Sequence, residues 1–121
     1  MGASDLLPHT YRWGAEQTQR LRFRGTHLEA VRAGAKRCTI RFRDPVHVGR
    51  ALLVFELREP VSLPGRITST VAKQVSDITE QEARADGFSS AADVLPGLQD
   101  YYPGLHADDE IVLVTFTPDN P

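Results

Sequence analysis

The stretch AGAKRCTIRFRDP, residues 33–45, reads as a strand that carries an unusual number of cations. Alternate side chains of a strand face opposite ways. Over residues 38–42 the apolar side chains therefore share one face, which we expect to pack in the core: Cys38, Ile40 and Phe42. The opposite face is polar and consists of Arg37, Thr39, Arg41 and Arg43. Lys36 lies in the turn before the strand, so its ammonium group can fold over the same polar face.

The remaining segments predict four further strands and three short helices. Alternation and apolar runs predict five strands in all, including the one in the opening stretch, at residues 21–25, 38–42, 51–57, 66–78 and 110–117. In the strand over 66–78, Ile67, Val71 and Val75 share one face, and the two prolines of residues 59–65 predict a turn before it. T-x-x-E capping boxes predict a helix over 27–33, begun by Thr26 and Glu29, and a second helix from Thr79 that Gly87 ends. A third helical segment begins at Ser89 or Ser90 and is interrupted by Pro96 and Gly97.

This pattern predicts a single α+β domain whose five or six strands curl into a small barrel with short flanking helices. The length of 121 residues suits one domain. Residues 1–19 show no clear period and are predicted to form an N-terminal arm, with the domain itself over residues 20–118.

Composition and charge narrow the class of protein. No apolar run approaches the ~18 residues that a membrane-spanning helix needs, and the N-terminus lacks the pattern of a secretory signal. The single cysteine excludes an intrachain disulfide, so we expect a cytoplasmic protein without membrane contact. Residues 12–50 carry a net charge of +7 and the remainder −9. Either a basic face meets an anionic ligand, or the two halves interleave in the fold and pair their charges.

Lys36 and Thr39 together allow three interpretations. A threonine hydroxyl becomes a nucleophile when a base lies within hydrogen-bond reach, and a lysine serves as that base when its charge is disfavoured by burial or by neighbouring cations. The arginines beside them can instead hold a phosphate or carboxylate. The third interpretation is an edge strand that charges protect against aggregation.

Neither a metal nor a cofactor is predicted. The four histidines lack metal-binding spacing and are expected on the surface: His9, His27, His47 and His106. Cys38 is expected to be an inert, buried thiol.

The stretch GAKRCTIR (34–41) resembles the G-x-K-x-x-T-x-R pattern of ASCH domains, small barrels similar to the PUA fold. The resemblance continues in the order of that family. A Gly-Arg pair, Gly49-Arg50, precedes the strand ALLVFEL where the family usually has Gly-Asp. The segment DITEQEARADGF (77–88) matches its acidic helix, DYYPG (100–104) its tyrosine-proline turn, and EIVLVTFT its closing strand. The resemblance covers residues 20–117.

This resemblance implies a PUA-like fold and a link to RNA, and some ASCH proteins are nucleases. A related bacterial branch comprises amidohydrolases that remove the acetyl group from N4-acetylcytidine with a Lys, a Thr and a Glu. The first two fall on Lys36 and Thr39, and the Glu falls on Asp86. The aspartate is a departure from that pattern, since it is one methylene shorter.

Two functional hypotheses follow. In the first, the protein binds RNA, a nucleoside or a nucleotide in a basic cleft, with ribonuclease-like hydrolase activity as an extension. In the alternative it is an N4-acetylcytidine amidohydrolase that uses Lys36, Thr39 and Asp86. Either way, the candidate ligand-binding residues are Arg37, Arg41, Arg43 and Tyr102, with Tyr101 or Tyr102 stacking on a base.

Overall fold

A computed structural model describes residues 18–119 of the chain. The strands are β1 (Gln19–Arg24), β2 (Cys38–Arg41), β3 (Gly49–Glu56), β4 (Val61–Gln74) and β5 (Glu110–Pro118). The helices are α1 (Leu28–Arg32), α2 (Glu80–Asp86) and α3 (Val94–Gln99), and single 3-10 turns cover Gly25–His27, Val75–Asp77 and Ala91–Asp93. The predicted arm lies outside the described residues except for its last two positions, and Gln19 already belongs to β1.

All five strands belong to one curled sheet, which confirms the predicted α+β class. The strand order is β1-β3-β4-β5-β2, so the strand built from the opening stretch lies at one edge and β1 at the other. β1 runs parallel to β3, and every other pairing is antiparallel. Curling brings the two edges towards each other without closing the sheet, which leaves a gap between β1 and β2.

The core consists of two apolar clusters. The first is built from β1, β3, β4, β5 and α1 around Phe23, Phe55 and Phe116. The second lies between β2, β5 and the helices α2 and α3, and it contains Cys38 and Ile40 as predicted. No helix within residues 18–119 is long and apolar enough to cross a membrane.

The predictions for β4 were wrong at both ends and for one face, and the strand ends at Gln74, where a 3-10 turn over Val75–Asp77 follows. The strand begins at Val61, not at residue 66, and it includes Pro64, whose carbonyl accepts a hydrogen bond from the Asp119 N–H at 2.8 Å. A bulge between Ile67 and Ser69 then shifts the register against β5. Because an extra residue reverses the alternation, Ile67 is fully buried, whereas Val71 is 46% exposed.

One of the two predicted capping boxes forms. The Thr79 hydroxyl accepts the Glu82 N–H at 3.1 Å, and the Glu82 carboxylate accepts the Thr79 N–H at 3.0 Å. α2 ends where predicted, at Gly87 with φ of 115°. The box predicted at Thr26 was wrong, because that residue lies inside a 3-10 turn and the N-cap of α1 is His27, which makes no side-chain cap.

The predicted interruption of the last helix was also wrong. Pro96 lies in the first turn of α3, where its missing N–H removes no intrahelical bond.

Candidate functional site

A cleft of about 560 Å³ lies between the two edge strands. Its walls come from β1, α1, the turn before β2, β2 itself, the end of α2, and the end of α3 with residues 100–102. This volume is within the range of small-molecule sites. Five side chains predicted from the sequence line the cleft: Lys36, Thr39, Arg41, Asp86 and Tyr102.

A buried ion pair forms one wall of the cleft. The Lys36 Nζ donates a hydrogen bond to the Asp86 carbonyl oxygen at 2.5 Å and another to a carboxylate oxygen of the same residue. The two side chains are only 4% and 11% exposed. Asp86 is the last residue of α2, where a cation satisfies an unpaired helix carbonyl. The shorter acid at position 86 therefore does reach the lysine.

Thr39 lies on the neighbouring strand, opposite Val114 of β5. It is 7% exposed and contributes to the cleft lining. Among residues 18–119, none forms a hydrogen bond with its hydroxyl group. The hydroxyl is therefore available to a ligand, either as a hydrogen-bond donor or as a nucleophile.

Arg41 crosses the gap between the two sheet edges. Its Nη2 donates to the Arg22 carbonyl of β1 at 2.5 Å, and its guanidinium lies 5.4 Å from the centre of the Phe23 ring. Burial lowers the pKa of Arg41 from its ordinary value, and nearby groups, Tyr102 and Asp44 first, oppose that shift. Its buried Nε has no hydrogen-bond partner in the described part of the chain. Arg41 thus places a positive charge on the cleft wall with unsatisfied donor capacity.

Two tyrosines follow α3 and differ in their surroundings. Tyr101 is 48% exposed, and the Arg24 guanidinium lies over its ring at 4.4 Å from the centroid. Tyr102 packs its ring edge-on against Phe42 at 5.5 Å and adjoins the second apolar cluster. Both line the cleft, but Tyr101 offers the more accessible face to a ligand.

Three basic side chains of the cleft were not anticipated from the sequence: Arg22, Arg24 and His27. The alternation of LRFRG identified β1 and its basic face, but nothing local showed that this strand would face β2. His27 is half-buried, not on the surface as predicted. Burial, and next the positive charge of Lys36, lower the pKa of His27, which favours a neutral imidazole in the cleft.

Two predicted ligand-binding arginines do not join the cleft. β2 ends at Arg41, and Arg43 has a φ of 56° with its guanidinium over the Phe42 ring at 4.8 Å. The alternation therefore does not extend to residue 43. Arg37 precedes β2, is exposed, and lines a separate groove.

The charge asymmetry of the sequence is partly resolved by pairing. Ion pairs join the basic and acidic segments at three places: Arg22 with Glu56, Lys36 with Asp86, and Arg50 with Asp119. Arg41 also pairs with Asp44 of its own segment at 3.7 Å, whereas Arg24 forms no ion pair with the described residues, and both arginines line the cleft. Within residues 18–119, no group of three or more His, Cys, Asp or Glu side chains is arranged to hold a metal ion.

Cys38 lies behind the cleft, on the opposite face of β2 from Thr39. Burial raises the pKa of the Cys38 thiol to about 11, and its Sγ donates to the Glu82 carbonyl at 3.5 Å.

Because the thiolate is the reactive form, we expect iodoacetamide to label native protein at pH 8 at least ~10-fold more slowly than protein unfolded in guanidinium. Mass spectrometry of timed samples measures both rates. Equal rates would show that the thiol is accessible and reactive in the folded state.

Two crystal structures share the architecture of this chain. The first, an ASCH domain from Lactobacillus crispatus JV V101, superposes with a TM-score of 0.67 over 98% of this chain and 94% of that chain, at 18% sequence identity. The chain has an ASCH-like fold. The second, a protein from Enterococcus faecalis V583 described as DUF984, gives a TM-score of 0.57 at 17% identity and covers 75% of this chain and 65% of that chain.

The ASCH-like fold agrees with the small PUA-like barrel predicted from the sequence. No protein-family model matches the chain, and no curated protein sequence matches it. At these identities the likeness concerns the fold, so the function must be argued from the cleft.

Proposed function

We propose that the protein binds a nucleoside or an unpaired nucleotide of RNA in the cleft between β1 and β2. The observation that carries this proposal is the juxtaposition of an exposed tyrosine ring, three arginines and a buried Lys–Asp pair within one cleft of about 560 Å³. Unpaired bases are recognised by stacking on aromatic rings and by hydrogen bonds to their edges. The cleft offers both kinds of contact.

Tyr101 is the stacking surface in this proposal. The Arg24 guanidinium now occupies the face that a base would use, so it moves aside or stacks on the other face of the base. Base stacking on an aromatic side chain contributes about 1–3 kcal/mol. Arg22 and Arg24 are then positioned for the sugar or phosphate attached to that base.

The Lys36–Asp86 pair and Thr39 face the base edge. A carboxylate accepts hydrogen bonds from the exocyclic amine of cytosine, whereas uracil has a carbonyl at that position. The Asp86 carboxylate and the Thr39 hydroxyl, both in the cleft lining, therefore favour a cytosine-type base.

Calorimetric titration with cytidine 5′-monophosphate and uridine 5′-monophosphate tests this function. Wild type is expected to bind the cytidine nucleotide more tightly than the uridine nucleotide. Arg41→Ala is expected to bind the cytidine nucleotide about 10-fold more weakly than wild type does, since charged contacts to a base or phosphate contribute about 1–3 kcal/mol. Arg58→Ala removes an exposed arginine of the β3–β4 turn and is the control for lost charge. Absence of binding to either nucleotide at millimolar concentration would refute the proposal.

A second candidate function is hydrolysis of N4-acetylcytidine. It is supported by the position of Lys36, Thr39 and Asp86 in the lining of one cleft. Lys36 passes a proton to Asp86 and then accepts the Thr39 proton as the hydroxyl oxygen attacks the acetyl carbonyl. Arg41 or a backbone N–H stabilises the oxyanion. The C–N bond breaks, Asp86 protonates the leaving nitrogen, and cytidine departs. Water then hydrolyses the acetyl-threonine ester to acetate.

Chromatography of N4-acetylcytidine incubated with the protein tests this second candidate. Wild type is expected to release cytidine, and Thr39→Ala to be slower by about 1,000-fold or more, because the removal of a nucleophile removes the covalent pathway. Thr39→Ser retains a hydroxyl and is expected to recover part of the rate. No cytidine from wild type at high protein concentration would leave the cleft as a binding site alone.

A further inference from the structure

A second groove, of about 460 Å³, adjoins the cleft across the turn of residues 34–37. Lys36 belongs to the lining of both, so only this turn separates them. Two arginines and three threonines contribute to its lining, from α1, the turn before β2, β4 and β5: Arg32, Arg37, Thr68, Thr115 and Thr117. None of these residues has a role in the cleft.

Arg37 is the fixed cation of this groove. Its backbone N–H donates to the Ala85 carbonyl at 2.9 Å, and its carbonyl accepts the Phe116 N–H at 3.1 Å. Its side chain is exposed, and no carboxylate in the described part of the chain pairs with it. Its backbone position is therefore set by α2 and β5, while its guanidinium remains available to an anion.

The threonines that line the groove lie on β4 and β5. The β4 bulge turns Thr68 towards β5, where its hydroxyl donates to the Thr115 carbonyl at 3.2 Å. Thr117 lies opposite Arg66 of β4, and its hydroxyl donates to the Pro118 carbonyl at 3.3 Å. The acid of the groove, Asp119, is held by two hydrogen bonds from Arg50 at 2.9 and 3.1 Å, which offset its charge.

We propose that this groove binds the phosphodiester backbone next to the nucleotide in the cleft, so that the ligand is a single RNA strand and not a free nucleoside. The proposal rests on the proposed function of the cleft and extends it across the turn. Arginine and hydroxyl side chains contact the phosphates of a nucleic-acid backbone and position it without reading the base sequence. The base in the cleft and the phosphate at Arg37 lie on the two sides of Lys36.

The test compares a labelled hexacytidylate RNA with cytidine 5′-monophosphate on the same protein. Fluorescence anisotropy and calorimetry are expected to give the hexamer at least ~10-fold higher affinity. Arg37→Ala should weaken the hexamer about 5- to 10-fold and leave the mononucleotide unchanged. It should also make the slope of log affinity against log salt shallower by about 0.7, the contribution of one single-strand phosphate. Arg58→Ala, which removes an exposed arginine outside both sites, should change neither affinity.

The outcomes separate the groove from the cleft. Equal hexamer and mononucleotide affinities, or equal effects of Arg37→Ala and Arg58→Ala, would overturn the groove while the cleft remains a binding site. Absence of binding to either ligand would overturn both. A DNA hexamer of the same sequence, if it binds as tightly as RNA, would overturn the restriction to RNA.

Discussion

Replacement of Asp86 by alanine is expected to lower the free energy of unfolding by about 3–5 kcal/mol, because it leaves the Lys36 charge buried without its partner. Both side chains are nearly excluded from solvent, and the ammonium would keep only the carbonyl of residue 86 as a hydrogen-bond acceptor. The free energy of unfolding of a native protein is about 5–15 kcal/mol, so this loss is a large share of the stability of the domain. Urea denaturation followed by circular dichroism at pH 7 measures it.

Two variants serve as controls for this expectation. The double variant Lys36→Met/Asp86→Ala removes both charges and is expected to recover most of the stability, since apolar replacement of a buried pair is often neutral. Glu29→Ala breaks the exposed Arg32–Glu29 pair and is expected to cost less than about 1 kcal/mol. A loss below about 1 kcal/mol for Asp86→Ala would mean that the pair is solvated in solution.

A second substitution at position 86 addresses the function of the cleft. If the carboxylate accepts the amine of a cytosine-type base, Asp86→Asn should reduce the preference for the cytidine nucleotide over the uridine nucleotide. The amide retains the volume of the side chain but loses its charge. Calorimetry at a temperature where both proteins are folded separates this effect from the loss of stability.

Local patterns in the sequence predicted the features that depend on neighbouring residues. The Thr79–Glu82 box and the Gly87 stop involve residues within one helix, and both were predicted correctly. The bulge at Thr68 was not predicted, because it arises from the register between β4 and β5, whose paired residues at the bulge lie more than 40 positions apart in sequence. Val71 was consequently assigned to the wrong face.

The contacts of the candidate site that join distant parts of the chain could likewise not be predicted from local sequence patterns. Lys36 and Asp86 are 50 residues apart, and no spacing rule brings them into contact. The resemblance to ASCH domains placed them in one site. Arg24 and His27 carried no such signal, since their role depends on β1 facing β2 across an open edge. Arg37 and Arg43 were assigned to the cleft by extending an alternation beyond both ends of β2.

Replacement of Phe23 by alanine is expected to lower the free energy of unfolding by about 3–5 kcal/mol and also to weaken ligand binding in the cleft. The ring stacks on Phe55 at 5.0 Å between centroids and contacts Phe116 at 5.2 Å, so its loss opens a cavity in the first apolar cluster. The same ring lines the cleft and lies below the Arg41 guanidinium. Without it, Arg41 loses the surface that supports its position across the gap.

Phe55 provides the matched comparison for this dual role. It belongs to the same stack and is fully buried, but it does not line the cleft. Phe55→Ala should therefore cause a similar loss of stability without changing the affinity for cytidine 5′-monophosphate once the protein is folded. The leucine variants of both positions keep most of the apolar volume and allow binding to be measured on folded protein. Equal affinities for Phe23→Leu and Phe55→Leu would show that Arg41 holds its place through the Arg22 carbonyl alone.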